Sequence, residues 1–180
     1  MTNKILILGT LISTLFLAGC ATHPVPTIKI KAEFNAEEAF SALEKGNNQI
    51  KGSALLRQRG GGVVTCAGTV VGLVPATPYA TERLRSVYGS IEGGFRPFSK
   101  GDLKFDPEQS VYHTASIKTR CDSLGFFKFE NLKDGEYYVI TWISWDVPSG
   151  QYTNSREGGE IGQRVLINSG EVKEIVLTGS

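Results

Sequence analysis

Thr119-Arg-Cys-Asp-Ser-Leu-Gly-Phe-Phe-Lys-Phe-Glu-Asn-Leu-Lys-Asp-Gly-Glu-Tyr-Tyr-Val-Ile-Thr-Trp-Ile143 is the stretch whose reading decides the fold. It reads as two strands, each bounded by a turn rich in Asp, Asn and Gly, with aromatic and β-branched residues between the turns. Phe127 and Phe129 fall two apart, the spacing of a strand with one buried face. The second strand is apolar on both sides: Tyr138, Ile140 and Trp142 alternate with Val139, Thr141 and Ile143, so both of its faces are expected to be covered. Together the two strands predict a hairpin of a β-sandwich.

Composition agrees with an all-β domain. The chain has 180 residues, 41% hydrophobic, with 21 glycines and 9% aromatics, enough for one domain with many tight turns. Its net charge of +1 removes the case for nucleic acid, which needs clustered Lys and Arg. Upstream, Asn35 to Lys45 predicts a helix: Asn35 caps it, Glu38 sits three residues on, and Ala36, Ala39, Phe40 and Leu43 form one apolar face that ends at Gly46-Asn47. Gln49 to Gln58 predicts a strand. The Gly60-Gly61-Gly62 run after it is a turn, because a phosphate cradle needs Gly-Lys-Ser/Thr and a following helix, whereas Val63-Val64-Thr65-Cys66 comes next. Val63 to Val74 is strand material. From Pro75 to Tyr112 the strand spacing is lost: Thr77-Pro78 resembles a helix start, with Ala80, Leu84, Val87 and Tyr88 on one side, and a turn-rich run carrying Phe95, Phe98 and Phe105 follows. Asp146 to Gly159 is expected to be a loop. Glu160 to Ile167 and Val172 to Thr178 are expected to be a closing pair, joined at the hairpin signal Asn168-Ser169-Gly170.

The first residues carry an address. Lys4 precedes an apolar run from Ile5 to Leu17, too short to span a bilayer and suited to a signal-peptide core. Leu17-Ala18-Gly19-Cys20 resembles a bacterial lipobox, which implies cleavage before Cys20, lipid on that cysteine and, with Ala21 rather than Asp next, outer-membrane delivery. Acyl chains on one cysteine would hold the mature chain at the membrane. Cys66 and Cys121 then remain as an even pair in an oxidising compartment, which predicts a disulfide; two buried free thiols are the alternative. Of the two histidines, His23 lies in the spacer and His113 stands alone in a loop, so a two-His zinc site with a nearby base has no material, and no metal or cofactor is expected.

Thr119, Asp122, Gly125, Phe127, Phe129, Leu132, Gly135, Tyr137 and Val139 match the core pattern of carboxypeptidase regulatory-like domains, the transthyretin-like or prealbumin-like sandwiches. Gly68 to Leu73 resembles that family's second strand and Gly170 to Leu177 its last. The chain as a whole resembles proteobacterial lipoproteins built on this domain. The resemblance implies an antiparallel prealbumin-like β-sandwich with a short N-terminal helix and a long insertion containing a helix. It implies no peptidase activity, since the family's zinc enzymes carry catalysis on a separate domain, and no enzyme is expected. The expected organisation is a signal peptide at 1–19, a lipidated spacer at 20–34, a helix packing on the domain at 35–48, and the sandwich at 49–180, with 75–112 as the insertion. The expected role is a periplasmic binding or scaffold module contacting another envelope protein, with carbohydrate binding (peptidoglycan or lipopolysaccharide) as the alternative. Trp145 and Tyr152, expected in the loop after the long strand, and Phe95 and Phe98 in the insertion are the candidate ligand contacts. The competing reading of these aromatics is that they anchor packing.

Overall fold

Each strand-forming stretch buries one side of its alternating pattern, and the computed structural model, which describes residues 24–179, places those sides against one another. In chain order, β1 is Thr27–Lys29, α1 Ala36–Ser41, β2 Lys45–Arg57 and β3 Val63–Thr65. Then come β4 at Val70–Pro75, α2 at Pro78–Tyr88, β5 at Gly93–Pro97, β6 at Lys104–Asp106 and β7 at Ile117–Arg120. The last strands are β8 at Phe126–Leu132, β9 at Gly135–Pro148, β10 at Asn154–Ile167 and β11 at Val172–Thr178. The signal peptide, Cys20 and the first residues of the spacer fall outside the described residues.

The architecture is an all-β sandwich. One sheet runs β5-β10-β9-β4-β7, antiparallel throughout. The other is centred on β2, with β8 and β3 antiparallel along one side and β11 parallel along the other. Between them lies a core that includes Phe127, Phe129 and Leu177 from the second sheet and Leu73, Tyr137 and Val139 from the first. The predicted Cys66–Cys121 disulfide is present, with Cα atoms 5.8 Å apart, inside that core. It ties the end of β3 to the end of β7, beside the turn in which Asp122 Oδ1 accepts from the backbone N–H groups of Leu124 and Phe126, both at 2.9 Å.

Both expected hairpins are sheet-to-sheet corners instead. β8 and β9 follow one another across Lys133-Asp134, yet β8 pairs with β2 while β9 pairs with β4 and β10. Likewise β10 pairs with β9 and β5, and β11 crosses to lie parallel to β2. Burial explains this. Phe127, Phe129 and Leu132 face Tyr137 and Val139 across the core, so both apolar sides are dry, whereas a flat hairpin would leave one side of each strand looking for a partner. A buried side chain pins both corners. Asn48 Nδ2 donates to Leu132 O at 3.0 Å and to Asp134 Oδ1 at 2.8 Å, Asn48 Oδ1 accepts from Glu171 N at 2.8 Å, and Asp134 Oδ1 accepts from Ser169 N at 3.1 Å.

Three further boundaries differ from expectation. The helix predicted over 35–45 is only Ala36–Ser41, capped by Asn35 Oδ1 accepting from Glu38 N at 3.1 Å; its Phe40 is exposed, and β2 begins at Lys45, inside the segment assigned to the helix. Hydrogen bonds hold α1 at the β8–β9 corner, where Tyr137 Oη donates to Ala42 O at 2.7 Å and Lys133 Nζ donates to Ser41 O at 3.2 Å. The loop predicted over 146–159 is β9 and β10 running on, with only residues 149–153 between them. Two glycines of β10 are sites of close approach: a Cβ on Gly159 would lie 2.7 Å from the Phe95 ring, and one on Gly162 would lie 2.7 Å from the ring of Tyr88.

The insertion at 75–112 is also more ordered than its turns suggest. It supplies α2, capped by Thr77 Oγ1 accepting from Ala80 N at 3.3 Å, and the edge strand β5. It also supplies β6, which pairs in parallel with β1. Tyr79, Ala80 and Tyr112 join Ile30 in a second apolar cluster, packed by Phe34 and Phe105. Part of the segment expected as a free spacer is therefore docked: Glu82 accepts from Lys31 N at 3.0 Å and Ala32 N at 2.7 Å.

Candidate functional site

The first sheet carries α2 over only part of its outer face. Tyr138, on that face, is fully buried and its Oη donates to Ile91 O at 2.7 Å. Tyr88 lies over Gly162 and donates to Glu160 Oε1 at 2.6 Å. Burial first, and then the Glu160 charge, push the Tyr88 phenol far above the usual tyrosine range, so it remains a donor. Beyond this covered half, Trp142 continues the Tyr138–Ile140 row and is 43% exposed. It stands directly opposite Glu160, which in turn stands opposite Arg96. The three form one cross-strand row, and strand spacing puts the backbones of Trp142 and Arg96 about 10 Å apart.

Arg156 bridges the aromatic residues of this region. Its guanidinium carbon is 5.3 Å from the centroid of Trp142 and 5.3 Å from that of Phe98, and its Nη2 donates to Ser144 Oγ at 3.0 Å. Phe98 belongs to a short 3-10 turn, Phe98–Lys100. Arg96 braces that turn from the other side, its Nη2 donating to Lys100 O at 3.3 Å and Gly101 O at 3.0 Å. The result is a shallow aromatic platform with guanidinium donors at its edge. Such a surface can stack on an apolar ring face while hydrogen-bonding that ring's substituents.

The residues expected from sequence divide around this platform. Phe98 is part of it. Phe95 is not: it packs against the core. Trp145 lies within β9 rather than in a loop, packs on the core and is half-buried, with its Nε1–H buried and unpaired among the described residues. Tyr152 is 91% exposed at the turn of a two-stranded ribbon, because the partners of β4 on β9 stop at Thr141 and those of β5 on β10 stop at Gly159. Trp142, Arg156 and Arg96 were not among the expected contacts. The signal was present in the alternation of β9: with the strand carried on to Pro148, Trp145 shares its inward face with Ile143 and Trp142 takes the outward one.

A second concave surface, a groove of about 720 Å³, lies on the second sheet, with Lys51, Ser53, Phe126, Lys128 and Val176 among its lining. Its charges are balanced locally: Lys128 pairs with Glu130 at 2.9 Å, and Lys51 stands beside Glu174 in the register of β2 and β11. Among the described residues no three His, Cys, Asp or Glu side chains cluster as metal ligands, and no helix is long and apolar enough to cross a membrane.

No family model matches the chain, and no curated protein matches it. Among solved structures, a Pseudomonas aeruginosa protein provisionally described as a carbohydrate binding protein is similar to it. The two share 23% identity at a TM-score of 0.66, over 82% of this chain and 98% of that one. At that identity the likeness is one of fold.

Proposed function

We propose that this chain is a non-enzymatic carbohydrate-binding module of the bacterial envelope, held at the outer membrane by lipid on Cys20. The observation that carries the reading is Trp142: a large aromatic ring left exposed on a flat sheet face, beside Phe98 and within reach of the donors of Arg156. An indole in that setting offers a stacking surface to a sugar ring, and the guanidinium edge offers hydrogen bonds to its hydroxyls. The similar Pseudomonas aeruginosa structure, provisionally described as carbohydrate-binding, leans the same way. The envelope address is supported by the lipobox-like Leu17-Ala18-Gly19-Cys20 and by the buried disulfide, a bond that persists in oxidising compartments. The resemblance to carboxypeptidase regulatory-like lipoproteins fits a binding sandwich without chemistry of its own. Of the two roles open at the level of sequence, scaffold and glycan binder, the platform favours the glycan binder.

Retention on immobilised peptidoglycan and on lipopolysaccharide tests it, with the full chain in detergent. Trp142→Ala should weaken retention about tenfold, the scale of one lost aromatic contact, with an unchanged melting temperature. Trp145→Ala should do the reverse, lowering the melting temperature and sparing retention. Equal retention of wild type and Trp142→Ala on every glycan that binds would refute the assignment of the face.

A further inference from the structure

We infer that the saccharide taken by the Trp142 face carries an anionic group, a carboxylate or a phosphate, read by Arg156 and Arg96. This rests on the reading of that face as a carbohydrate site and narrows its ligand. The two arginines border the same turn, Phe98–Lys100, and each is held by neutral oxygens: Arg156 by Ser144 Oγ, Arg96 by Lys100 O and Gly101 O. Among the described residues neither has a carboxylate within 4.0 Å. The hydrogen bonds recorded for each use Nη2 alone, which leaves the donors of Nε and Nη1 for a ligand.

The acids nearby form no ion pair with either guanidinium. Glu160, in the row between Trp142 and Arg96, has its Oε1 bound by the Tyr88 hydroxyl at 2.6 Å. Asp146 stands opposite Arg156 in the β9–β10 register without forming an ion pair. Lys100 adds a further positive charge on the turn itself. Cation–π contact with Phe98 and Trp142, each at 5.3 Å, and the bond to Ser144 Oγ place the Arg156 guanidinium between the two rings. A planar fork beside an exposed indole suits a sugar ring with a charged oxygen group on its rim. Charge-assisted bonds there are about twice as strong as those to neutral hydroxyls.

The test uses the full chain in detergent and four probes: trigalacturonate, its uncharged methyl ester, a trisaccharide carrying a 6-phosphate, and neutral chitotriose. Titration calorimetry at low salt should give the acid or the phosphate an affinity about tenfold or more above the ester, and the gap should narrow as salt rises toward about 1 M, where charges are screened within a few ångströms. Preference for the carboxylate or for the phosphate identifies the source of the charge, and either supports the inference. Arg156→Gln and Arg96→Gln should each shrink the ratio of acid to ester affinity, whatever each does to the ester alone, with melting curves confirming that both variants fold. Equal affinity for acid and ester in the wild type overturns the inference and leaves the carbohydrate reading standing. A charge preference that survives both substitutions overturns the assignment to these arginines. Failure of all four probes overturns the carbohydrate reading and this one with it.

Discussion

Asn48 is the residue whose loss should cost the fold most for its size. It is wholly buried, and its amide joins the two sheet-crossing corners: two donated bonds to Leu132 O and Asp134 Oδ1 and one accepted from Glu171 N. The bond to the Asp134 carboxylate is worth roughly 2 kcal/mol and the two neutral ones about 1 kcal/mol each, so Asn48→Ala should lose about 4 kcal/mol. Asn48→Asp is the sharper test. An ionised Asp at 48 can still accept from Glu171 N, but it cannot donate to Leu132 O and it faces Asp134 as a like charge. Burial and that neighbour would raise its folded pKa above the unfolded value of about 3.9. A carboxyl whose folded pKa is raised destabilises above that pKa and ceases to do so below the unfolded one. The deficit of Asn48→Asp against wild type should therefore be large at pH 7 and shrink as pH falls toward about 4. Urea denaturation across that range measures both, read as a shift in midpoint at constant slope. A loss below about 0.5 kcal/mol for Asn48→Ala, the level of an ordinary surface change, or an Asn48→Asp deficit that does not vary with pH, would refute the idea that one side chain clasps both corners.

Other consequences follow from the same contacts. Replacing Cys66 and Cys121 together by Ala opens a loop with a sequence separation of 55 and should cost roughly 4 kcal/mol, or about 10 °C in melting temperature; an unchanged melt under non-reducing conditions would count against it. Glu82→Ala should release the docked strap, because the carboxylate accepts from the backbone of Lys31 and Ala32, and trypsin should then cut after Lys29 or Lys31 many times faster than in wild type. The Glu108 carboxyl takes bonds from Arg83 at 3.0 Å and from His113 Nε2 at 2.8 Å; burial works to raise its pKa, but these bonds outweigh it and hold the group below the usual carboxylate range. A depressed folded pKa stabilises above the unfolded value and is lost as pH falls through the folded one. The melting advantage of wild type over Glu108→Gln should thus be present at pH 7 and disappear below about pH 4.

Much of the sandwich was legible because period-two burial is a local signal. β11 runs from Val172 to Thr178 as expected, and Asn35 and Thr77 cap the helices that their spacing announced. Partner choice was not legible. The turn signals at Lys133-Asp134-Gly135 and Asn168-Ser169-Gly170 say that the chain reverses, but a reversal within one sheet and a step to the facing sheet use similar residues. What separates them is Asn48, 84 residues from Leu132 and 123 from Glu171, a long-range contact with no local trace. The glycines of β10 misled for a related reason. Gly158 and Gly159 look like loop residues, yet Gly159 marks where Phe95 lies against the strand, as Gly162 does for Tyr88. A glycine in a strand can mark a close approach as well as a bend, and only the approaching ring tells which.

The same limit explains why Trp145 was preferred to Trp142 as a ligand contact. With β9 ended at Ile143, Trp145 becomes a loop aromatic free to meet a ligand, and Trp142 becomes one of two apolar faces that must be covered. Continued to Pro148, the strand reverses those roles: Trp145 turns inward with Ile143, and the outward row Tyr138–Ile140–Trp142 runs out from under α2. The cover ends for a reason visible in the contacts. α2 is held toward the β1–β6 ribbon by Glu82 and by the Tyr79–Tyr112 cluster, and its last residue, Tyr88, reaches the sheet at Gly162 and Glu160. Glu160 is also the cross-strand partner of Trp142. The residue that closes the covered half, Tyr88, is thus bonded to the cross-strand partner of the exposed Trp142. The platform is therefore shared: Trp142 and Arg156 come from sandwich strands β9 and β10, and Phe98 and Arg96 come from the insertion that also ends the cover.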